Sequence, residues 1–359
     1  MSRPIRVLVV DDSALMRKLI PQILAGDSSI QVIGTAIDGN FGLRKIEELR
    51  PQVITLDLEM PGMGGIEMLK QIMASHPMPV IVVSSHSTEG ATVTLKALAL
   101  GAFDFVAKPT DVSARIQEIG SELIAKIKAA AQSHAAMPLQ PNPQFAAPAR
   151  SANKEKAAKP PARIISIGIS TGGPHSLNYL LSRLPGDFPA AILVVQHMPE
   201  GFTEMFARRL DECCAMEVKE AQSGDLLLAG RVLICPGNRH MRVKRLPLGD
   251  VVVLSDDHRV NGHRPSADVL FRSVAELFGR EAIGILMTGM GEDGARGLGL
   301  IKAAGGVTLA QGEQSCVVFG MPKAAIECGH AMHVVELDAL ADTLAQLCVP
   351  AKAISAGQI

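Results

Sequence analysis

The chain has 359 residues, enough for two domains, and 47% of them are hydrophobic; with no Trp and one Tyr, its cores must be built from aliphatic side chains and Met. A formal net charge of -1 argues against electrostatic binding to nucleic acid, and the six Cys include no C-x-x-C pair of the kind a zinc site uses. No apolar run reaches the ~20 residues a membrane helix needs, and "MSRPIRVLVVDD" turns acidic too soon for a signal peptide, so the expectation is a reduced, cytoplasmic protein with no direct membrane insertion.

From the amino terminus, strand-like runs IRVLVV, IQVIGTA, VITLD, VIVVSS and FDFVAK alternate with helical stretches such as "SALMRKLIPQIL" and "GIEMLKQIMA". Such alternation builds a parallel sheet with helices on both faces. Pro21 falls inside the first predicted helix and should kink or restart it. Asp11, Asp12, Asp57, Ser84 and Lys108 each close an apolar run or follow one directly. In a parallel sheet these are the carboxyl ends of the strands, where open α/β sheets bind ligands. Singly, each could be a turn or cap residue. Together they describe a site. Clustered carboxylates need a cation, hard oxygen ligands suit Mg²⁺, and a carboxylate beside Mg²⁺ can accept a phosphoryl group. Lys108 can pair with the phosphate, and the Ser84 hydroxyl can move to bond it.

Composition then shifts. Roughly residues 133–162 are rich in Ala, Pro, Lys and Asn and almost devoid of large aliphatics, which reads as a linker. Beyond it, "IISIGIS", "AAILVVQ", "AIGILMTG" and "GGVTLAQ" read as buried strands, and "SLNYLLSRL", "SADVLFRSVAELFG" and "GARGLGLIKAAG" as helices. "RVLICPG" and "VVVLSDD", separated by a basic turn, read as an antiparallel pair. This half is a second α/β domain.

"GISTG", Gly168 to Gly172, fits G-x-S-x-G, which puts a Ser on a tight strand-to-helix turn. Ser170 could equally be a helix N-cap, a phosphate ligand in a Gly-rich loop that lacks the P-loop and dinucleotide signatures, or the nucleophile of an α/β-hydrolase. The hydrolase order demands a late His, for which His330 and His333 are available. The alternative is His197 in "VVQHMPEGF", which leaves its strand at the same edge as Ser170, with Asp293 in "TGMGEDG" as the acid. His197 is favoured, because His330 and His333 enter the last strand from the opposite edge. His175 lies one turn into a helix and ranks second; Cys316 has no evident base. Glycines beside Asp293 let a backbone N–H approach a reacting oxygen.

Two resemblances rest on these motifs. "VDDS", "TLDLEMPGMGG", "VVSS" and "AKPT" make residues 5–128 resemble a response-regulator receiver domain. That resemblance implies Asp57 as phospho-acceptor, Mg²⁺ held by Asp12, Asp11, Asp57 and the Glu59 carbonyl, and Ser84, Phe105 and Lys108 as the switch. "GISTGGP", "VVQHMP", "HRPSADVLF", "LMTGMGEDGA" and "CVVFGMPKAA" make residues 163–348 similar to the catalytic domain of the chemotaxis protein-glutamate methylesterase (CheB) family. This implies Ser170 as nucleophile, His197 as base and Asp293 as orienting acid. The Met290 N–H is implied as an oxyanion donor, Thr171 beside the nucleophile as a hydrogen-bonding support, and no cofactor in the esterase site.

The expectation is two doubly wound parallel-sheet α/β domains: a flavodoxin-like receiver (1–130) and a Rossmann-like esterase domain (163–350). A flexible linker over 131–162 joins them, and a tail follows at 351–359. The implied activity is phosphorylation-activated hydrolysis of glutamate methyl esters on chemoreceptors, with glutamine deamidation. The implied phosphoryl donor is a chemotaxis histidine kinase. A response regulator with a non-catalytic partner-binding second domain is the alternative; a DNA-binding one lacks a basic recognition helix.

Overall fold

The computed structural model describes residues 3–85, 87–108, 116–132 and 159–348, in two compact units that divide near residue 140. The amino-terminal unit alternates strand and helix throughout: β1 (Ile5–Val10), α1 (Ala14–Leu24), β2 (Ile30–Ala36), α2 (Gly39–Leu49), β3 (Val53–Leu56), α3 (Gly65–Ser75), β4 (Val80–Ser84), α4 (Thr88–Ala99), β5 (Asp104–Ala107) and α5 (Ile116–Gln132). The five strands are parallel, in the order β2-β1-β3-β4-β5, so the winding reverses between β1 and β3. Helices cover both faces, which is why Val7 to Val10 are all buried rather than alternately so. Polar caps start the helices: Ser13 accepts from Met16 N, and Asp38 from Phe41 N. Pro21 does not restart α1, which runs through it unbroken. The proline forfeits one backbone donor, while Ile20 and Leu24 on either side stay packed in the core. Helix α5 ends at Gln132; the span read as linker lies outside the described residues from 133 to 158.

The carboxyl-terminal unit comprises β6 (Arg163–Ile169), α6 (Gly173–Leu181), β7 (Ala190–Gln196), α7 (Phe202–Cys213), β8 (Glu217–Glu220), β9 (Arg231–Ile234), β10 (His240–Leu246), β11 (Gly249–Ser255), α8 (Ala267–Phe278), β12 (Ala282–Leu286), α9 (Ala295–Ala303), β13 (Val307–Gln311), α10 (Met321–Glu327), β14 (His333–Val335) and α11 (Leu337–Cys348). Seven parallel strands run in the order β14-β13-β12-β6-β7-β9-β8. Strand β6 is central, with β7 on one side and β12 on the other, so the topological switch point lies at its carboxyl end.

The expected antiparallel pair is corrected here. "RVLI" is β9, parallel to β7 inside the main sheet, and "VVVLS" is β11, whose antiparallel partner is β10. The basic stretch read as a turn is itself a strand. Its alternation is masked because Arg242 and Lys244 take the solvent side while Met241 and Val243 face the core, and Arg245, next on the core face, is exposed at the strand's end. No described helix is long and apolar enough to cross a membrane.

Gly168 in β6 is where the sheet meets α8: a Cβ there would lie 2.7 Å from Ala267 Cβ and 2.8 Å from Leu286 Cδ2. Gly168→Ala is expected to destabilise this unit by about 1–3 kcal/mol through overpacking. The check is the urea midpoint of its unfolding transition, with the amino-terminal unit's transition unchanged.

Candidate active site

Strand β6 delivers Ser170 to the switch point. Beyond Ile169 the chain stays tied to both neighbours: Ser170 N donates to Thr288 O (3.0 Å), and His197 N donates to Ile169 O (3.0 Å). It then reverses through Gly172, at a φ of +76° that favours glycine, into α6. The cap of α6 is Gly172, with no side chain on the helix end, and the Ser170 hydroxyl makes no hydrogen bond among the described residues. The N-cap explanation for Ser170 is thereby removed. Asp293 is not a cap either, since Gly294 caps α9.

His197 and Asp293 come from strands on opposite sides of β6, yet their side chains meet: Nε2 of His197 lies 2.9 Å from Oδ2 of Asp293. The pair spans the carboxyl end of the strand that carries Ser170. Asp293 is 1% exposed, and both its oxygens are occupied. Oδ1 accepts from Ser266 Oγ (2.6 Å) and Asn261 Nδ2 (3.0 Å); Oδ2 also accepts from Ala267 N (2.7 Å). Burial pushes the carboxyl up, but the donors from His197, Ser266 and Ala267 outweigh it and hold the group at about 2. An ionised carboxylate can only accept, so Nε2 carries the proton of neutral His197 and Nδ1 carries the lone pair. Nδ1 is buried and makes no hydrogen bond. The imidazole is further fixed by His263, stacked on it at 4.0 Å between centroids and 5° between planes.

On the other flank, Gly289 packs against the turn that carries Ser170, where a Cβ would fall 2.8 Å from Ser170 Cβ. Thr288 Oγ1 donates to Thr171 O (3.0 Å) and accepts from Val318 N (3.0 Å). Gly289 N donates to Val318 O, and Gly320 N returns to Gly289 O (both 3.0 Å). Thr171 is buried beside Ser170. The N–H groups of Thr171 and Met290 make no hydrogen bond among the described residues. His330 lies elsewhere, its Nδ1 on Ala295 O at 2.7 Å, and His333 opens β14, the outermost strand, three places from β6 in the sheet. Burial, then Glu336 and Glu313, push the Cys316 thiol far up, which leaves it a poor nucleophile.

Ser266, Asn261, Gln196 and His263 were not singled out from sequence. His263 and Ser266 lie in "HRPSADVLF", where a polar pair ahead of an amphipathic helix reads as an ordinary helix start. Asn261 had one visible signal, the N-G pair of a turn; it adopts a φ of +53°.

In the amino-terminal unit four of the five expected side chains, those of Asp11, Asp12, Asp57 and Lys108, converge. Carboxylate oxygens of Asp11, Asp12 and Asp57 all lie within 4.8 Å of one another, a donor set that fits a hard divalent cation. Oδ2 of Asp11 is buried without a hydrogen bond. Lys108 Nζ lies 2.5 Å from Asp57 Oδ2 and 3.2 Å from Asp11 Oδ2. Burial pulls the ammonium down, but the two carboxylates prevail and hold it above the usual lysine value. Burial likewise raises the Asp11 carboxyl, against the pull of Lys108. Glu59 N donates to Asp57 Oδ1 (3.1 Å). Ser84 Oγ donates to Gly90 O (3.2 Å), a bond it would give up to donate to a phosphoryl group. Phe105 is buried, with Lys126 Nζ 5.3 Å from its ring centroid.

Family models match in the same places: a CheB methylesterase domain over residues 165–344 and a response regulator receiver domain over residues 7–119. A protein-glutamate methylesterase/protein-glutamine glutaminase of Koribacter versatilis is 62% identical over 353 residues, covering 95% of each chain. A protein of the same description from Pyrococcus horikoshii is 44% identical over 348 residues, covering 96% of this chain and 94% of its own. The crystal structure of the Thermotoga maritima CheB methylesterase catalytic domain matches with a TM-score of 0.51 at 40% identity, over 52% of this chain and 98% of that one.

A carboxyl lowered from 3.8 to about 2 lends stability that is complete above pH 4 and lost as pH falls through 2. Asp293→Asn should therefore cost on the order of 2 kcal/mol at pH 7. The gap to the wild type should be about half closed by pH 3, read from urea denaturation across a pH series.

Proposed function

The chain belongs to the CheB methylesterase family, with a receiver domain ahead of the esterase domain, and from that membership we propose the following activity. It hydrolyses γ-glutamyl methyl esters on the cytoplasmic helices of chemoreceptors, releasing methanol, and deamidates receptor glutamines by the same route. One observation carries this reading: the His197–Asp293 pair spans the strand end that holds Ser170, with the lone pair of His197 Nδ1 unclaimed.

In the proposed sequence, His197 Nδ1 takes the Ser170 hydroxyl proton as Oγ attacks the ester carbonyl. Asp293 holds the proton on Nε2 and stabilises the imidazolium. The N–H groups of Met290 and Thr171 receive the oxyanion. Collapse breaks the ester C–O bond, or the amide C–N bond when the substrate is glutamine, as Nδ1 gives its proton to the leaving oxygen or nitrogen, which departs as methanol or ammonia. A water attacks the acyl-enzyme and gives a proton to Nδ1; collapse breaks the acyl C–Oγ bond as Nδ1 returns that proton to Ser170, and the released glutamate loses the water's second proton to solvent. A non-catalytic binding module would have no use for a buried carboxylate locked onto an imidazole.

The receiver domain implies a kinase partner. We assign that role to a chemotaxis histidine kinase acting in the cytoplasm, with Asp57 as the acceptor. Asp11, Asp12, Asp57 and the Glu59 carbonyl would hold Mg²⁺, which offsets carboxylate repulsion and screens the incoming phosphoryl oxygens. Lys108 pairs with the phosphate, Ser84 turns from Gly90 O toward it, and Phe105 repacks. These movements raise esterase activity.

Ser170→Ala should abolish methanol release from methylated receptor membranes, a loss on the order of 10⁶ in turnover by comparison with serine proteases. His197→Ala should be comparably damaging and His330→Ala close to wild type. An inactive His330→Ala beside an active His197→Ala would overturn the assignment.

Acetyl phosphate should label the wild type only when Mg²⁺ is present and should raise its methanol release. Asp57→Asn, or excess chelator, should abolish both effects, measured by radiolabel and by methanol assay.

A further inference from the structure

Gln196 is the last residue of β7 and is 2% exposed. Its Nε2 donates to the carbonyl oxygens of Ser170 (3.0 Å) and His197 (3.2 Å). Both neighbours of that end of the amide are acceptors, which assigns the nitrogen to it. One NH₂ group thus ties the main chains of the expected nucleophile and base together. It does so where the ladder between β6 and β7 has run out: the last rung is His197 N to Ile169 O. Beyond that rung the two chains part, one turning through Gly172 into α6 and the other entering the loop before α7.

The other end of the amide tells against a merely stabilising role. Oε1 is buried without a hydrogen bond and rests on Gly173, where a Cβ would overlap it. A buried carbonyl left without a donor is a loss, and a hydrophobic side chain of the same length would fill the space without that loss. Asp293 and His263 hold the His197 ring, whereas Ser170 Oγ makes no hydrogen bond among the described residues, so its place relative to that ring depends on its backbone.

We propose that Gln196 is a positioning residue, which sets the Ser170–His197 separation by clamping their two carbonyls. The proposal rests on the esterase reading above. The test uses full-length protein carrying Gln196→Met, which keeps the volume and removes both donors. The expected result is a melting temperature within a few degrees of wild type, an unchanged KM for methylated receptor, and a kcat lower by about 10–100-fold, the scale of a sub-ångström to 1 Å misplacement. Phosphonylation of Ser170 by a small fluorophosphonate, which needs the nucleophile and base but no receptor docking, should slow by the same factor. A kcat and phosphonylation rate equal to wild type, or a KM change alone, overturns the clamp. If Gln196→Met does not fold, Gly173→Ala takes its place: its methyl displaces the amide without removing a donor, and it should lose kcat similarly. Wild-type kcat in Gly173→Ala would also overturn the proposal. A wild type that neither releases methanol nor reacts with the probe sinks the esterase reading itself, and the two failures are thereby told apart.

Discussion

A carboxylate with 1% of its surface exposed must find donors for both oxygens or give up its charge, and Asp293 finds four. They come from β7's end, from the loop holding Asn261, and from the start of α8. Satisfying one charge therefore fixes the entry of α8, the loop after β12 and the ring of His197 at once. It also settles the tautomer. Because the carboxylate stays ionised, the neutral form of the imidazole presents Nε2–H to it and keeps its lone pair at Nδ1.

Parallel strands supply the stage for this. All seven strands of the carboxyl-terminal sheet end on the same edge, so residues just past β6, β7 and β12 are neighbours although they lie 27 and 123 positions from Ser170, by subtraction from His197 and Asp293. The amino-terminal sheet uses the same geometry for different chemistry. Past β1, β3 and β5 it gathers three carboxylates and one ammonium instead of a serine, an imidazole and an acid. There three carboxylates share one ammonium, and the buried Asp11 Oδ2 has the Lys108 Nζ at 3.2 Å as its ion-pair partner. Such a cluster suits an incoming cation and phosphoryl group, whereas the Asp293 cluster is complete and suits a fixed geometry.

Where local patterns misled, tertiary contacts were the reason. The run from His240 to Leu246 is dense in basic residues and reads as a turn, yet it forms a strand because α8 covers its Met241 and Val243 face. That coverage comes from residues 267–278, which no window around 240 contains. Pro21 reads as a break, yet α1 persists, since packing of Ile20 and Leu24 outweighs one lost backbone donor.

The order of apolar runs was enough to determine two parallel α/β domains and to place Ser170, His197, Asp293, Asp11, Asp12, Asp57, Ser84 and Lys108 at strand ends, because strand direction in a parallel sheet makes "just after the run" a position in space. What only the tertiary structure decided is how those groups are held. Which imidazole nitrogen faces Asp293, the stack of His263 on His197, the donors Asn261 and Ser266, and the Gln196 amide across two carbonyls all join segments with no common period or motif. A hydrogen bond between such segments depends on distances of a few ångströms set by packing, and sequence spacing carries no measure of them.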